Sequence, residues 1–178
     1  ETTASTLAWV FERISRHPTV LEQLVSEVSG EDNSYRQATI FEVQRNRTVI
    51  DFAGRNVAAP MYELGEWLLP QGYSILISLL QLHSDPNVYP DPERFDPQRF
   101  IDEKPSTFSW VPFGGGTRRC VGAAFANMEM DVVLRTVLRH FTIRTTSAPG
   151  EKWHHRGVAF TPKKGGRIAL YRRTTPLG

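Results

Sequence analysis

The chain has 178 residues, 40% of them hydrophobic and 22% charged, with a formal net charge of +2. That length supports one domain with a real core, and that charge is too small to argue for a nucleic-acid partner. A lone cysteine excludes an intrachain disulfide framework, and no run is apolar and long enough to span a membrane or reads as a signal peptide. Leu7, Val10 and Ile14 recur at helical spacing and predict an amphipathic helix over 1–16. The chain starts at Glu1 without Met and is helical in pattern at once, with nothing before Glu1 to cap the helix. It therefore reads as a piece of a longer protein, cut inside a helix. His17-Pro18 ends the first helix, and Pro18 suits the first position of a second one running to about Val28. A polar loop follows, with Asn33 or Ser34 as N-cap of a third helix from Tyr35 to Arg47. Short strands are expected at 55–58, 62–64 and 66–69, with a turn at Pro70-Gln71-Gly72. Residues 73–80 read as a buried strand entering a short helix. From Ser84 to Pro105 the chain is rich in Pro and Asp and should wander without being disordered, since aromatics punctuate it. A long helix is expected from Gly122 to His140, with Val132, Val133, Val137, Leu138 and Phe141 as its buried stripe. A terminal hairpin turning at Gly165-Gly166 closes the chain.

The cysteine lies in the run Trp110-Val111-Pro112-Phe113-Gly114-Gly115-Gly116-Thr117-Arg118-Arg119-Cys120-Val121-Gly122. Three glycines let the backbone turn sharply and approach a flat ligand. The apolar residues after Gly122 start a helix, so Cys120 falls near a helix N-terminus, whose unpaired N–H groups favour thiolate over thiol. A thiolate in a glycine-rich loop is a candidate axial ligand for haem iron. A lone cysteine among apolar residues is more often a small buried hydrophobe. The Phe, the glycines, the Arg and their spacing weigh together against that. The run matches Phe-x-x-Gly-x-x-x-Cys-x-Gly and closely resembles the haem-ligand loop of the cytochrome P450 family of haem-thiolate monooxygenases. The resemblance extends along the chain in the family's order and implies a mainly α fold with small β-sheets (α+β). It implies the C-terminal portion of the P450 fold, from the distal helix to the terminal hairpin, with 1–178 a partial domain lacking the N-terminal half.

The resemblance also assigns residues. Glu42 and Arg45 form Glu-x-x-Arg on one helix face, a pair that alone means little. In the family it locks with an Arg of a Pro-x-Arg-Phe element. Here that is Pro97-Gln98-Arg99-Phe100, and a near-duplicate, Pro92-Glu93-Arg94-Phe95, precedes it. Chain order and distance to Cys120 give the partner role to Arg99. Gln98 stands where the family commonly has Glu. Glu1 and Thr2 resemble the acid–alcohol pair of the distal helix, which passes protons to the oxygen being reduced. Cys120 would bind the iron of haem b, with Phe113 and Gly114 at the haem face and Arg118 and Arg55 pairing its propionates. His83 falls where the family often has a histidine that supports haem or packing. Substrate contacts would come from the first helix, from 48–53, and from the last hairpin near 158–160.

The activity implied is insertion of one oxygen atom from O2 into a small, hydrophobic organic substrate, with electrons from a ferredoxin or flavoprotein reductase. These residues hold no membrane segment, any N-terminal anchor such as eukaryotic members usually carry would lie in the missing half, and no nucleic-acid partner is implied. Two readings of other classes stand beside it: a truncated, inactive product, and a haem protein acting as peroxygenase, isomerase or sensor. The style of the cysteine loop resembles bacterial members and implies a cytoplasmic location.

Overall fold

A computed structural model describes residues 1–177. Four helices make the core. They are α1 (Thr2–Ile14), α2 (Pro18–Glu27), α3 (Ser34–Asn46) and α6 (Ala123–His140). Trp9, Val10 and Ile14 of α1 meet Leu24 of α2, Ile40 and Val43 of α3, and Met130, Leu134 and Leu138 of α6 in one cluster. Full burial of each such side chain contributes about 1.5–3 kcal/mol. Pro18 occupies the first turn of α2, as the sequence indicates.

Capping of α3 differs from expectation. Asn33 holds the N-cap position but makes no side-chain cap bond. The Glu27 carboxylate, at the end of α2, instead accepts from the N–H of Tyr35 at 2.6 Å and of Arg36 at 3.1 Å. A carboxylate from a neighbouring helix thus satisfies the orphan donors and meets the positive end of the α3 dipole.

The strands form four two-stranded antiparallel sheets. β1 (Phe52–Asn56) pairs with β4 (Ser74–Ser78), with Phe52 opposite Ser78 and Asn56 opposite Ser74. β1 thus begins earlier than the expected 55–58. β2 (Met61–Leu64) and β3 (Trp67–Pro70) form the hairpin between them. β4 is not the buried strand expected: Leu76 is 65% exposed, and Ile77 is exposed too. Its apolar run marks β propensity, but side chains on both faces of the strand stay exposed. α4 (Leu79–His83) follows at once, capped by the Ser78 hydroxyl, which accepts from the Gln81 N–H. The segment 84–105 is irregular apart from the single turn α5 (Arg99–Asp102).

α6 buries Ala123, Met130, Leu134 and Leu138, whereas Val132 is 55% exposed. The expected valine stripe is therefore rotated. The true stripe keeps strict i, i+4 spacing from Met130, and a run of adjacent apolar residues cannot show which of them faces the core. After α6, β5 (Phe141–Ile143) pairs with β8 (Leu170–Arg172), and β6 (Trp153–Arg156) with β7 (Ala159–Pro162). The hairpin turns between Arg156 and Ala159, not at Gly165-Gly166. The latter pair carries the chain past α1, where Gly166 (φ 66°) lies against the Ala8 carbonyl.

Candidate functional site

The cysteine loop is anchored at its start. Trp110 donates its indole N–H to the Phe41 carbonyl of α3 at 3.1 Å. Its ring packs edge-on against Phe41, Phe100 and Phe113, with centroids 4.8–6.2 Å apart. The Val111 N–H is given to Nε2 of His83 at 3.1 Å. The Gly114 N–H bonds the Val111 carbonyl at 2.9 Å, and the Cys120 N–H bonds the Phe113 carbonyl at 2.9 Å. Gly114 and Gly116 take φ of 68° and 64°, which the tight loop requires and which glycine adopts without strain. The Cys120 N–H is thus already paired, and α6 begins only at Ala123.

Cys120 is exposed and opens into a cavity of about 440 Å³. Four stretches of chain supply most of its walls, with Gln44 of α3 and Leu79 of α4 beside them. α1 contributes Thr2, Thr3 and Thr6. Residues 49–55 contribute Val49, Ile50, Phe52, Ala53 and Arg55. The loop contributes Phe113, Gly114, Arg118 and Cys120, and α6 contributes Phe125, Ala126, Glu129 and Met130. Apolar side chains dominate the lining, and the cations stand at residues 55 and 118. A Cβ on Gly114 or Gly115 would meet nothing within 4 Å. Arg55 is held by its own bonds, donating to the carbonyls of Gly54 at 2.7 Å and Gly115 at 3.0 Å. The arrangement offers one soft ligand atom, a flat apolar space and two guanidinium groups, a donor set that fits a planar, dianionic metal macrocycle.

Of the residues singled out from sequence, Cys120, Phe113, Gly114, Arg118, Arg55 and Thr2 share this cavity. Glu1 does not line it. Its carboxylate lies 3.8 Å from Arg156 on the surface, because the helix turn that aims Thr2 inward leaves its neighbour outside. His83 does not line the cavity either. It is buried behind the loop, and burial together with the Arg45 charge lowers its pKa to about 4. The segment 49–53 reaches the cavity as expected, but the hairpin tip does not. Val158 is exposed and Phe160 faces a separate hollow with Trp153 and Arg47.

Glu42 and Arg45 form a buried fork–fork pair, with Nε–Oε2 at 2.7 Å and Nη2–Oε1 at 2.8 Å. Nε of Arg99 stands 3.6 Å from the same carboxylate, and its Nη2 donates to the Asp91 carbonyl at 2.9 Å. The near-duplicate Arg94 instead points to solvent beside Asp96. Burial pushes the Glu42 carboxyl up, and Arg45, Arg99 and the Asp96 N–H pull it back. Arg45 also donates to the carbonyls of His83 and Pro92, which ties the irregular segment to α3. Sequence reasoning missed Gln44. Its amide donates to Asn127 at 2.8 Å while its buried Oε1 has no partner among the described residues, at the cavity wall. No pattern marks one glutamine on a helix as buried.

Comparison with known proteins places this fold and cavity in one family of haem proteins. The cytochrome P450 family model matches residues 1–168, and the chain belongs to the cytochrome P450 family. It is 68% identical over 173 residues to putative cytochrome P450 138 of Mycobacterium tuberculosis and Mycobacterium bovis, covering 97% of this chain and 39% of that protein. It is 39% identical over 176 residues to putative cytochrome P450 135B1 of the same organisms, covering 96% of this chain and 37% of that protein. The structure of retinoic-acid-bound cyanobacterial CYP120A1 matches with a TM-score of 0.85 at 25% identity, over 97% of this chain and 43% of that one. The chain spans about two-fifths of the length of these curated relatives. Its fold, mainly helical with small sheets, is a partial cytochrome P450 fold. No helix among the described residues is long and apolar enough to cross a membrane.

Proposed function

We propose that this chain carries the cysteine side of a haem-thiolate monooxygenase, as a partial P450 domain over 1–178, acting in a bacterial cytoplasm. The observation that carries the reading is that the lone thiol, Cys120, opens into the same apolar cavity as Arg55, Arg118 and Thr2. Haem b would be held by Cys120 Sγ as ligand to its iron, by Phe113 and Gly114, and by Arg55 and Arg118 pairing its propionates. The chemistry supplied by such a group when bound is reductive activation of O2, with one oxygen atom entering an organic substrate and the other leaving as water.

The protein's own residues set the conditions. Cys120 Sγ would be the electron donor to the iron, and the Cys120 backbone is held in place by its N–H bond to the Phe113 carbonyl at 2.9 Å. The Thr6 hydroxyl is engaged with the Thr2 carbonyl at 3.1 Å, which leaves the hydroxyls of Thr2 and Thr3 on the α1 side of the cavity; the family resemblance assigns Thr2 Oγ1 to hold and pass a proton. Val49, Ile50, Phe52, Phe125 and Met130 give the cavity an apolar wall that favours an apolar substrate. Electrons would come from a ferredoxin or a flavoprotein reductase. The family membership, the mycobacterial relatives and the donor set support this reading.

The test is the reduced carbon-monoxide difference spectrum of the chain expressed with haem, beside Cys120→Ala. A red-shifted thiolate-type band that is lost in the variant is the expected result. A haem spectrum unchanged by Cys120→Ala would overturn the ligand assignment. Substrate oxidation driven by reduced ferredoxin, against oxidation driven only by peroxide, separates a monooxygenase from a peroxygenase.

A further inference from the structure

Every polar atom of His83 is engaged. Its side chain is 1% exposed at the end of α4. Nε2 accepts the Val111 N–H at 3.1 Å, and Nδ1 lies 2.7 Å from Thr48 Oγ1. The His83 carbonyl accepts from Nη1 of Arg45 at 2.7 Å. A ring nitrogen that accepts an amide N–H carries no proton, so the proton of the neutral ring sits on Nδ1. Thr48 agrees with that tautomer. Its hydroxyl proton is directed to the carbonyls of Gln44 at 3.0 Å and Arg45 at 2.9 Å, which leaves an oxygen lone pair for Nδ1–H.

The bond to Val111 is the first link of a series that ends on the cysteine. The Val111 carbonyl takes the Gly114 N–H, and the Phe113 carbonyl takes the Cys120 N–H, both at 2.9 Å. Val111 otherwise precedes three glycines, the most freely rotating backbone in the chain. His83 is the side chain that fixes this loop's entry to the buried α3 pair. Trp110 fixes the same entry from the α3 carbonyl at Phe41.

We propose that His83 is a positioning residue for Cys120, acting as a neutral Nδ1–H imidazole that clamps the Val111 amide and references the cysteine loop to Thr48 and Arg45. The depth of the sulfur in the cavity then depends on a residue that never touches the cavity. The proposal rests on the haem-thiolate reading only for what the positioned sulfur does.

Three readouts test it in the full chain. Nitrogen NMR of the unaltered protein should show the Nδ1–H tautomer at His83, and an Nε2–H tautomer would overturn the proposal, because that nitrogen could not accept from Val111. In the haem-free protein, His83→Phe keeps the volume and removes the acceptor. The rate at which the Cys120 amide, bonded to the Phe113 carbonyl, exchanges with deuterated water should rise about tenfold, the scale of one unsatisfied buried amide. His83→Gln restores an acceptor and a donor, and should bring that rate back to within about threefold of the parent. With haem bound, the fraction of thiolate-type carbon-monoxide band should follow the same order. Equal effects of Phe and Gln, or no effect of either, would overturn the clamp. Should His83→Phe not fold, the tautomer and Thr48→Val decide the question, since Thr48→Val removes the Nδ1–H acceptor and should raise the rate in the same direction. A parent protein without any thiolate band would sink the haem reading while the tautomer and the amide-exchange rates still judge His83.

Discussion

Glu42 carries a fully buried carboxylate, and its partners decide whether that burial is tolerated. Arg45 makes two charge-assisted bonds to it, and the Asp96 N–H makes a third at 2.9 Å. Replacing Arg45 by Met should cost about 3–5 kcal/mol in urea unfolding, because it strands a buried charge. Lys at that position should recover little, since an ammonium cannot reproduce the fork. Arg94→Ala should stay within about 0.5 kcal/mol, as its side chain is 70% exposed. Arg99→Ala should cost more than Arg94→Ala, and equal losses at Arg99 and Arg94 would contradict the placement of Arg99 in the lock. His83 gives a pH signature. Its folded pKa of about 4 lies below the unfolded value of 6.5, so the unfolded chain takes up the proton first. Stability is then fully present above about pH 6.5 and falls as pH drops toward 4, by up to about 3 kcal/mol. Glu12, whose carboxyl is held below its usual range by Arg13, Arg16 and the Glu151 N–H against the pull of burial, loses its own contribution at lower pH. The difference between parent and His83→Gln in unfolding free energy across pH 4–7 therefore isolates the histidine. A difference independent of pH would refute it.

At the scale of elements, α6 shows how packing selects one face of a helix that is apolar on more than one side. Leu134→Ala should cost about 2–5 kcal/mol by leaving a cavity among α1, α3 and α6. Val132→Ala should cost less than about 0.5 kcal/mol, because Val132 faces out. The reverse order would restore the valine stripe read from sequence. Gly166 tests a contact between a loop and a helix. A Cβ there would overlap the Ala8 carbonyl, and the residue already sits at φ 66°. Gly166→Ala should lower the thermal midpoint clearly, whereas Gly165→Ala has open space around it and carries only the strain of its own positive φ.

Over the whole molecule, large apolar side chains remain in water on several faces. Trp67 is 66% exposed, and Leu68, Leu76, Phe108, Val121, Phe125 and Met128 are exposed as well. Surfaces of this kind associate. The 178-residue chain by itself is expected to self-associate as concentration rises, measured by sedimentation velocity. Leu76→Lys, on the exposed face of β4, should reduce that association without changing the far-ultraviolet signature. Monomeric behaviour at all concentrations would show that these side chains are better shielded in solution.

What the sequence determined by itself was local and chemical. Periodicity, Pro18 and the glycine run marked α1, α2, α3 and α6 and the cysteine loop, because spacing along a helix and backbone freedom are properties of neighbouring residues. The order of motifs around Cys120 carried the family, and chain order chose Arg99 over Arg94. Tertiary structure decided the rest. Which face of α6 is buried, which carboxylate caps α3, that Glu1 faces out while Thr2 faces in, and that His83 grips Val111 rather than the cavity all depend on how the elements pack against one another. The Glu27 cap, the Trp9 bond to the Phe160 carbonyl and the His83 clamp join positions separated by up to 151 residues. No local pattern records such contacts, because the free energy that selects them belongs to the packed core and not to any one segment.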